Sequence, residues 1–259
     1  MAIGDNIRLV AKGSLRGSRI TLAGLLAITV LAWLYLIGMA SDMDAMATGG
    51  MVTFHHWTVS YFILMLVMWI IMMIAMMMPS AAPMVLLYRQ VARRNRLPAV
   101  LGTLAFIGGY LLVWSAFSLF ATALQWLLEE LALLSPMMRS QSALFSGALL
   151  IAAGVYQFSS FKQACLKRCR GPLLFITRYW RPGVTGAAEM GVRHGIFCVG
   201  CCGALMLLLF VGGVMDLTVI AVIAAVVLLE KLMPGGDRWA RAIGGLAIVL
   251  GGVLIVAGT

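Results

Sequence analysis

The chemistry available to this chain is concentrated in sulfur and imidazole. All five cysteines lie in its second half. Cys198, Cys201 and Cys202 follow His194 inside one apolar run. At about 100° of turn per residue, with His194 as zero, they fall near 40°, 340° and 80°, so all four share one helical face. Soft thiolates beside an imidazole suit Cu(I), Zn(II) or related ions, and such a cluster offers two or three ligands. Cys165 and Cys169, four residues apart just upstream, add two more thiols. They face a reducing compartment in the topology derived below, which argues against a structural disulfide. A second reading fits the same residues. Cysteine in a membrane helix is also a small apolar group that permits close packing, and Gly195, Gly200 and Gly203 flank these positions.

Methionine gives the second signal, with 19 in the chain. Met65, Met68, Met72 and Met76 run along one helical face, and Met73, Met77 and Met78 crowd up to Pro79-Ser80-Ala81-Ala82-Pro83. Thioethers are soft ligands, but methionine is equally an adaptable apolar filler. The two prolines are expected to break or kink the helix and free backbone carbonyls, as happens at sites in transporters. A third group, Met39, Asp42, Met43, Met46, Met51, His55 and His56, precedes this run. One picture joins all three: uptake outside, a methionine route across, and a thiol site inside. It requires the second and fifth apolar runs to be neighbours. Glu230 and Lys231 close the sixth run. Lys231 is expected to snorkel and complement the helix C-terminus. Glu230 is expected to pair with it or with a nearby arginine, or else to serve as a metal or proton ligand. Gln157 and Tyr156 would line the same region.

The elements that must position these groups are membrane helices. Of 259 residues, 63% are hydrophobic and 11% charged, with mean hydropathy +1.02. A soluble domain carries roughly 25% charged residues, so these charges are too few to cover a water-facing surface. The net charge of +10 lies in short segments between apolar runs, where topology and lipid headgroups explain it without nucleic acid. Runs of about 20 apolar residues occur near Ile20–Ala40, Val59–Leu87, Ala99–Leu127, Gln141–Phe161, His194–Val214, Asp216–Leu232 and Ala240–Ala257. The sixth is the shortest, and a six-span reading that omits it is the main competitor.

Basic and non-basic connections alternate under about seven spans. Arg8, Lys12, Arg16 and Arg19 precede the first run, while Ser41–Thr58 holds only Asp42 and Asp44 as charges. Arg89, Arg93, Arg94 and Arg96 follow the second run. Lys162, Lys167, Arg168, Arg170, Arg178, Arg181 and Arg193 follow the fourth, and Lys231, Arg238 and Arg241 the sixth. The positive-inside rule then puts the N-terminus in the cytoplasm and the C-terminus outside. The expected organisation is a basic cytoplasmic segment over 1–19 and a single all-α transmembrane bundle over 20–259, multi-pass in a bacterial-type inner membrane. The first run is longer than a signal-peptide core and lacks a small-residue cleavage pattern, so it reads as a retained helix. Lys162–Arg193, with Arg178, Tyr179, Trp180 and Arg181, is expected to lie in the cytoplasmic interface. Walker A, dinucleotide-fingerprint and HExxH motifs are absent from the sequence, and nothing in it points to an enzyme or a nucleotide cofactor.

Three blocks carry a family resemblance: Met72–Pro83; Gly154-Val155-Tyr156-Gln157-Phe158 with Lys162, Cys165, Cys169 and Pro172; and Gly191 through Cys198-Val199-Gly200-Cys201-Cys202, Leu205-Met206, Phe210, Gly213, Met215 and Glu230-Lys231. Together, over about residues 60–235, they resemble DUF2182, described as predicted metal-binding integral membrane proteins. Gly203, Asp216 and Ser159-Ser160 depart from that pattern, which usually has an aromatic residue, Asn and Ser-Pro there. The thiols are intact. The resemblance implies metal binding. Two functions therefore stand: a metal-handling membrane protein, for copper first, acting as transporter or metallochaperone; or an accessory subunit of a larger membrane or periplasm-facing complex, its Gly and Met faces serving assembly. A quinone-linked thiol–disulfide enzyme fits less well, since it needs cysteine pairs on the oxidising side.

Overall fold

The computed structural model describes residues 2–48, 57–135 and 138–258, with side chains for 17–42 and the two later stretches. It is all-helical, with no strands among the described residues. Ten helices follow in order: α1 Ala2–Thr48, α2 Val59–Arg94, α3 Ala99–Glu130, α4 Ala143–Gln157, α5 Ser160–Arg170, α6 Pro172–Tyr179, α7 Gly183–Leu207, α8 Leu209–Gly212, α9 Leu217–Leu232 and α10 Gly236–Ala257.

Among the described residues, five segments are long and apolar enough to cross a bilayer: Gly17–Asp42 of α1, α2, α3, α7 continued by α8, and α10. A sixth is added if α4 and α5, bent by 64° at the Phe158–Ser159 break, form one span. The run expected as Gln141–Phe161 is thus divided, with Ser159 starting the new helix by accepting a hydrogen bond from the Lys162 N–H. The run expected as Asp216–Leu232 forms α9, which has 16 residues. At 1.5 Å per residue it is about 24 Å long, short of a hydrocarbon core of ~30 Å. The fifth run begins earlier than expected, at Gly183 rather than His194. Cys198 therefore lies about 22 Å along its helix, not one turn from its start.

The prolines do not break α2, which is continuous through Pro79 and Pro83. Near them, Ser80 Oγ and Tyr110 Oη both donate to the Met77 carbonyl, at 2.9 and 3.3 Å. Met65, Met68, Met72 and Met76 are buried, as are Met73, Met77 and Met78. Lys162–Arg193 is helical rather than irregular. It becomes α5, α6 and the start of α7, and its aromatics pack inward, Tyr179 on Phe175 and Phe197, Trp180 against Tyr88.

Two glycine-mediated contacts fix the bundle. On α3 and α7, Phe106 lies against Gly191 and Val113 against Gly195, so the helices run parallel. A Cβ at Gly191 would sit 2.0 Å from the Phe106 carbonyl oxygen, and one at Gly109 would sit 2.2 Å from that of Ala188. On α4 and α10, Gly147 faces Gly251 and Gly154 faces Gly244, which makes that pair antiparallel. Small residues let helix backbones approach closely, which replaces the hydrophobic drive that lipid cannot supply. Gly191→Ala is therefore expected to cost ~1–3 kcal/mol by overpacking and to lower the melting temperature in detergent. Gly24→Ala, with nothing within 4 Å of the added methyl, is expected to gain ~0.5–1 kcal/mol from reduced chain entropy. Melting both variants beside the parent tests the opposite signs.

Candidate metal centre

The sulfur cluster is built where α7, α5, α3, α2 and α9 meet. Cys198, Cys201 and Cys202 are buried on α7, as their shared face requires. Cys201 Sγ lies 3.3 Å from Cys202 Sγ and 3.3 Å from the Cys198 carbonyl. The α4–α5 bend brings the upstream thiols back to this point. Cys169, half-buried, approaches Cys201 at 3.8 Å between sulfurs. Cys165 packs against Gly200 so closely that a Cβ there would meet its sulfur at 2.8 Å. All five cysteines are free thiols. Among the described residues, no three Cys, His, Asp or Glu side chains converge as a ready-made metal cage. The preformed element is instead a thiol pair at Cys201–Cys202 with Cys169 beside it, a donor set suited to a soft ion of low coordination number.

Lys231 does not snorkel. It is buried and donates to Cys198 Sγ at 2.9 Å and to Ser80 Oγ at 3.0 Å. Tyr110 Oη also touches Cys198 Sγ, at 3.2 Å. Neither does Glu230 pair with Lys231 or with an arginine. Its carboxylate accepts from Lys162 Nζ at 2.7 Å and from Gln157 Nε2 at 2.9 Å, and Lys162 and Glu230 are both 0% exposed. Tyr156 completes this side by donating to the Gly200 carbonyl. The reason for both departures is packing: α9 ends among the other helices, so its last turn is surrounded by protein rather than by headgroups.

His194 shares the buried face but not the cluster. Its ring is held by Phe106, Tyr110 and Phe175, with centroids 6.0, 5.6 and 5.5 Å away, and its Nδ1 has no hydrogen-bond partner. The long backbone contacts of α2 are with α1 and α3, not α7. The second and fifth runs meet through side chains: Trp69 of α2 packs on Phe210 of α8 with centroids 5.4 Å apart, while Tyr110 and Lys231 bridge Met77 and Ser80 of α2 to Cys198. Of the outer group, His55, His56 and Met51 lie outside the described residues, and nothing is described of the Met43 and Met46 side chains. Met39 packs against the core.

Sequence reasoning missed several partners. Tyr110 and Ser80 at the thiols were not singled out, nor was the polar chain farther along α2 and α3. There Trp69 donates to Gln125 at 2.8 Å, while Gln125 donates to Glu129 at 2.9 Å and to Met65 Sδ at 3.8 Å. Trp57 also donates to Glu129, at 2.9 Å. The available signal was Gln125 and Glu129 at i, i+4 on an otherwise apolar helix, an arrangement that demands partners inside a bilayer.

The buried ion pair gives a stability test. Removing one partner of a buried pair leaves an uncompensated charge and costs about 3–5 kcal/mol. Lys162→Met is therefore expected to destabilise strongly, whereas Lys162→Met combined with Glu230→Gln should recover much of the loss. Denaturant unfolding of the parent, the two single variants Lys162→Met and Glu230→Gln, and the double variant reads this as a double-mutant cycle.

With this geometry in place, the chain can be set beside known proteins. A family model described as "PpoB2: Copper chaperone" matches residues 66–254, and the chain belongs to that family. The matching family is copper-related but is not named DUF2182. No curated protein and no solved structure matches.

Proposed function

From membership of a copper-chaperone family, we propose that this protein is a membrane metallochaperone that holds copper as Cu(I). Its ligands are the thiols around Cys201. The observation that carries the reading is the approach of Cys202 and Cys169 to Cys201, at 3.3 and 3.8 Å. Thiolates are the donors that select Cu(I), and a pair of them suffices for an ion of low coordination number. Cys201 and Cys202 are the core ligands. Cys169, half-buried, is the exchange ligand through which copper passes to or from a partner protein. Cys198 is the buried reserve, held by Lys231 and Tyr110. Cys165 packs against Gly200, while His194, Met65, Met68, Met72, Met76 and Glu230 support the site from outside the ligand set. The family description favours a chaperone over a transporter. The metal binding implied by the DUF2182 resemblance points the same way, since its blocks fall almost wholly within residues 66–254.

Protein purified in detergent and loaded with Cu(I) is expected to retain about one ion per chain at low coordination. Cys201→Ser should lose most of it, and Cys165→Ser should keep it. Metal analysis by mass spectrometry measures this, and a parent protein that retains no copper removes the reading.

The same proposal includes an inner-membrane topology of seven spans with a cytoplasmic N-terminus, in which α4–α5 and the short α9 both count as crossings. The alternation of basic connections supports it. It puts α5, with Cys169, toward the cytoplasmic side. A reporter fused after Gly258 is then expected to be active only as a periplasmic enzyme. An active cytoplasmic reporter at that position would remove one crossing.

A further inference from the structure

Away from the thiols, α1 and α3 both pack on α2 and leave between them a cavity of about 230 Å³ that opens to the side of the bundle. Its floor is Thr21 and Leu25 of α1 and Thr103 of α3, all buried, and its rim is the exposed Ile28 and Leu104. Gly24 also lines it, with nothing within 4 Å of where a Cβ would sit, so the missing side chain leaves the groove open. From Thr21 to Ile28 the groove follows α1 for about 10 Å. Its hydroxyls add little polarity, because Thr21 and Thr103 each donate to a carbonyl of their own helix, those of Gly17 and Ala99. The exception is Arg89 of α2, half-buried at the end where the basic residues lie. Its Nη1 donates to the Thr21 hydroxyl, while its Nε is buried with no hydrogen-bond partner. Among the described residues, no carboxylate lies within ion-pair distance of Arg89. Arg93 reaches the same turn of α1: a Cβ at Gly17 would lie 2.6 Å from its Nη1 and 3.3 Å from the Nη2 of Arg89. Positive charge thus gathers at one end of an apolar groove.

We propose that this groove binds an anionic phospholipid of the cytoplasmic leaflet, with the phosphate on Arg89 and one acyl chain along the floor. Neither the thiols nor a metal enters into it. The groove lies along the part of α1, Gly17–Asp42, that is long and apolar enough to cross a bilayer, so its occupant is drawn from the lipid. A buried N–H without an acceptor costs free energy, and a phosphate oxygen within reach recovers it. The guanidinium presents its donors as a planar fork that phosphate matches. A zwitterionic lipid carries its own cation beside the phosphate and leaves the arginine charge uncompensated, whereas an anionic headgroup offsets it. Basic pockets between transmembrane helices on the cytoplasmic side suit such headgroups, and the topology proposed above puts the basic end of α2 there. The acyl chain packs on Leu25 and on the open face of Gly24, which nothing within 4 Å covers.

The test melts the full chain in detergent micelles carrying phosphatidylglycerol or phosphatidylcholine with the same acyl chains. The quantity read is the difference in melting temperature between the two lipids. The parent is expected to melt ~2–4 °C higher in the anionic lipid, the shift that about one such headgroup contact gives in a chain of this length. Arg89→Gln should lose most of that difference. Arg94→Gln, which removes an exposed charge from the same end of α2, should keep it. If Arg89 serves only to tie α2 to Thr21, its loss lowers melting in both lipids alike and leaves the difference intact, which overturns the proposal. A parent with no difference overturns it as well, as does an equal loss in Arg94→Gln, which would mean general attraction between charges. Inorganic phosphate giving the same shift in phosphatidylcholine micelles also overturns it, since the ligand is then a free anion. Should Arg89→Gln fail to fold, Gly24→Leu keeps the charge and fills the groove. It is expected to lose the difference, and a difference retained there defeats the lipid site.

Discussion

The last turn of α9 carries Glu230 and Lys231 into the interior, and every other feature of the centre answers that constraint. A charge withdrawn from water is tolerable only if it is paired and its remaining hydrogen-bonding capacity is met. Glu230 is met by Lys162 and Gln157, which fixes where α4 ends and where α5 begins. Lys231 is met by Ser80 on α2 and Cys198 on α7, and Tyr110 on α3 reaches the same sulfur. Adjacent residues on one short helix therefore tie together five others. At the far end of α5, Arg170 donates to the Met233 carbonyl at 2.7 Å, so both ends of that helix are pinned to the α9–α10 junction. Its position there is what brings Cys169 to Cys201.

The helix pairs that carry these groups are held by absence of side chains rather than by their presence. At Gly109 and Gly191 the backbones of α3 and α7 approach so closely that no Cβ fits. That registration puts Tyr110 beside Cys198 and packs the His194 ring between Phe106, Tyr110 and Phe175. The imidazole is thus used as an aromatic surface, on the same helical face as the thiols but outside their cluster.

Local periodicity made much of this legible. The apolar runs, the buried face shared by His194 and the three cysteines, and the burial of the methionine stripe all follow from residue spacing along single helices. What did not follow depends on partners distant in sequence. Lys231 reads as a snorkelling residue because it ends an apolar run beside Met233 and Pro234; only the burial of that end among α2, α5 and α7 reverses the expectation. Pro79 and Pro83 read as a break because their effect on hydrogen bonding is local. Yet α2 runs on through both, packed along α1 and α3. The fourth run reads as one span by hydropathy, while the Ser159 cap and the pinning of Lys162 divide it.

The feature that made the sixth run least secure in the sequence is the one on which the centre depends. Asp216 starts α9 by accepting from the Thr218 and Val219 N–H groups, and its carboxylate lies 3.7 Å from Arg139 in the connection after α3. With that end fixed beside Gly212 and Gly213, about 24 Å of helix reaches the depth of Cys198, since about 21 Å separates Cys198 from Gly212 along α7. A longer α9 would carry Glu230 and Lys231 past the thiols to the aqueous boundary, where a lysine snorkels and a carboxylate is hydrated. The short helix instead delivers its C-terminal turn, with the negative end of its backbone dipole, against the sulfur cluster. Lys231 complements that dipole as the sequence suggests, but it does so inside the protein.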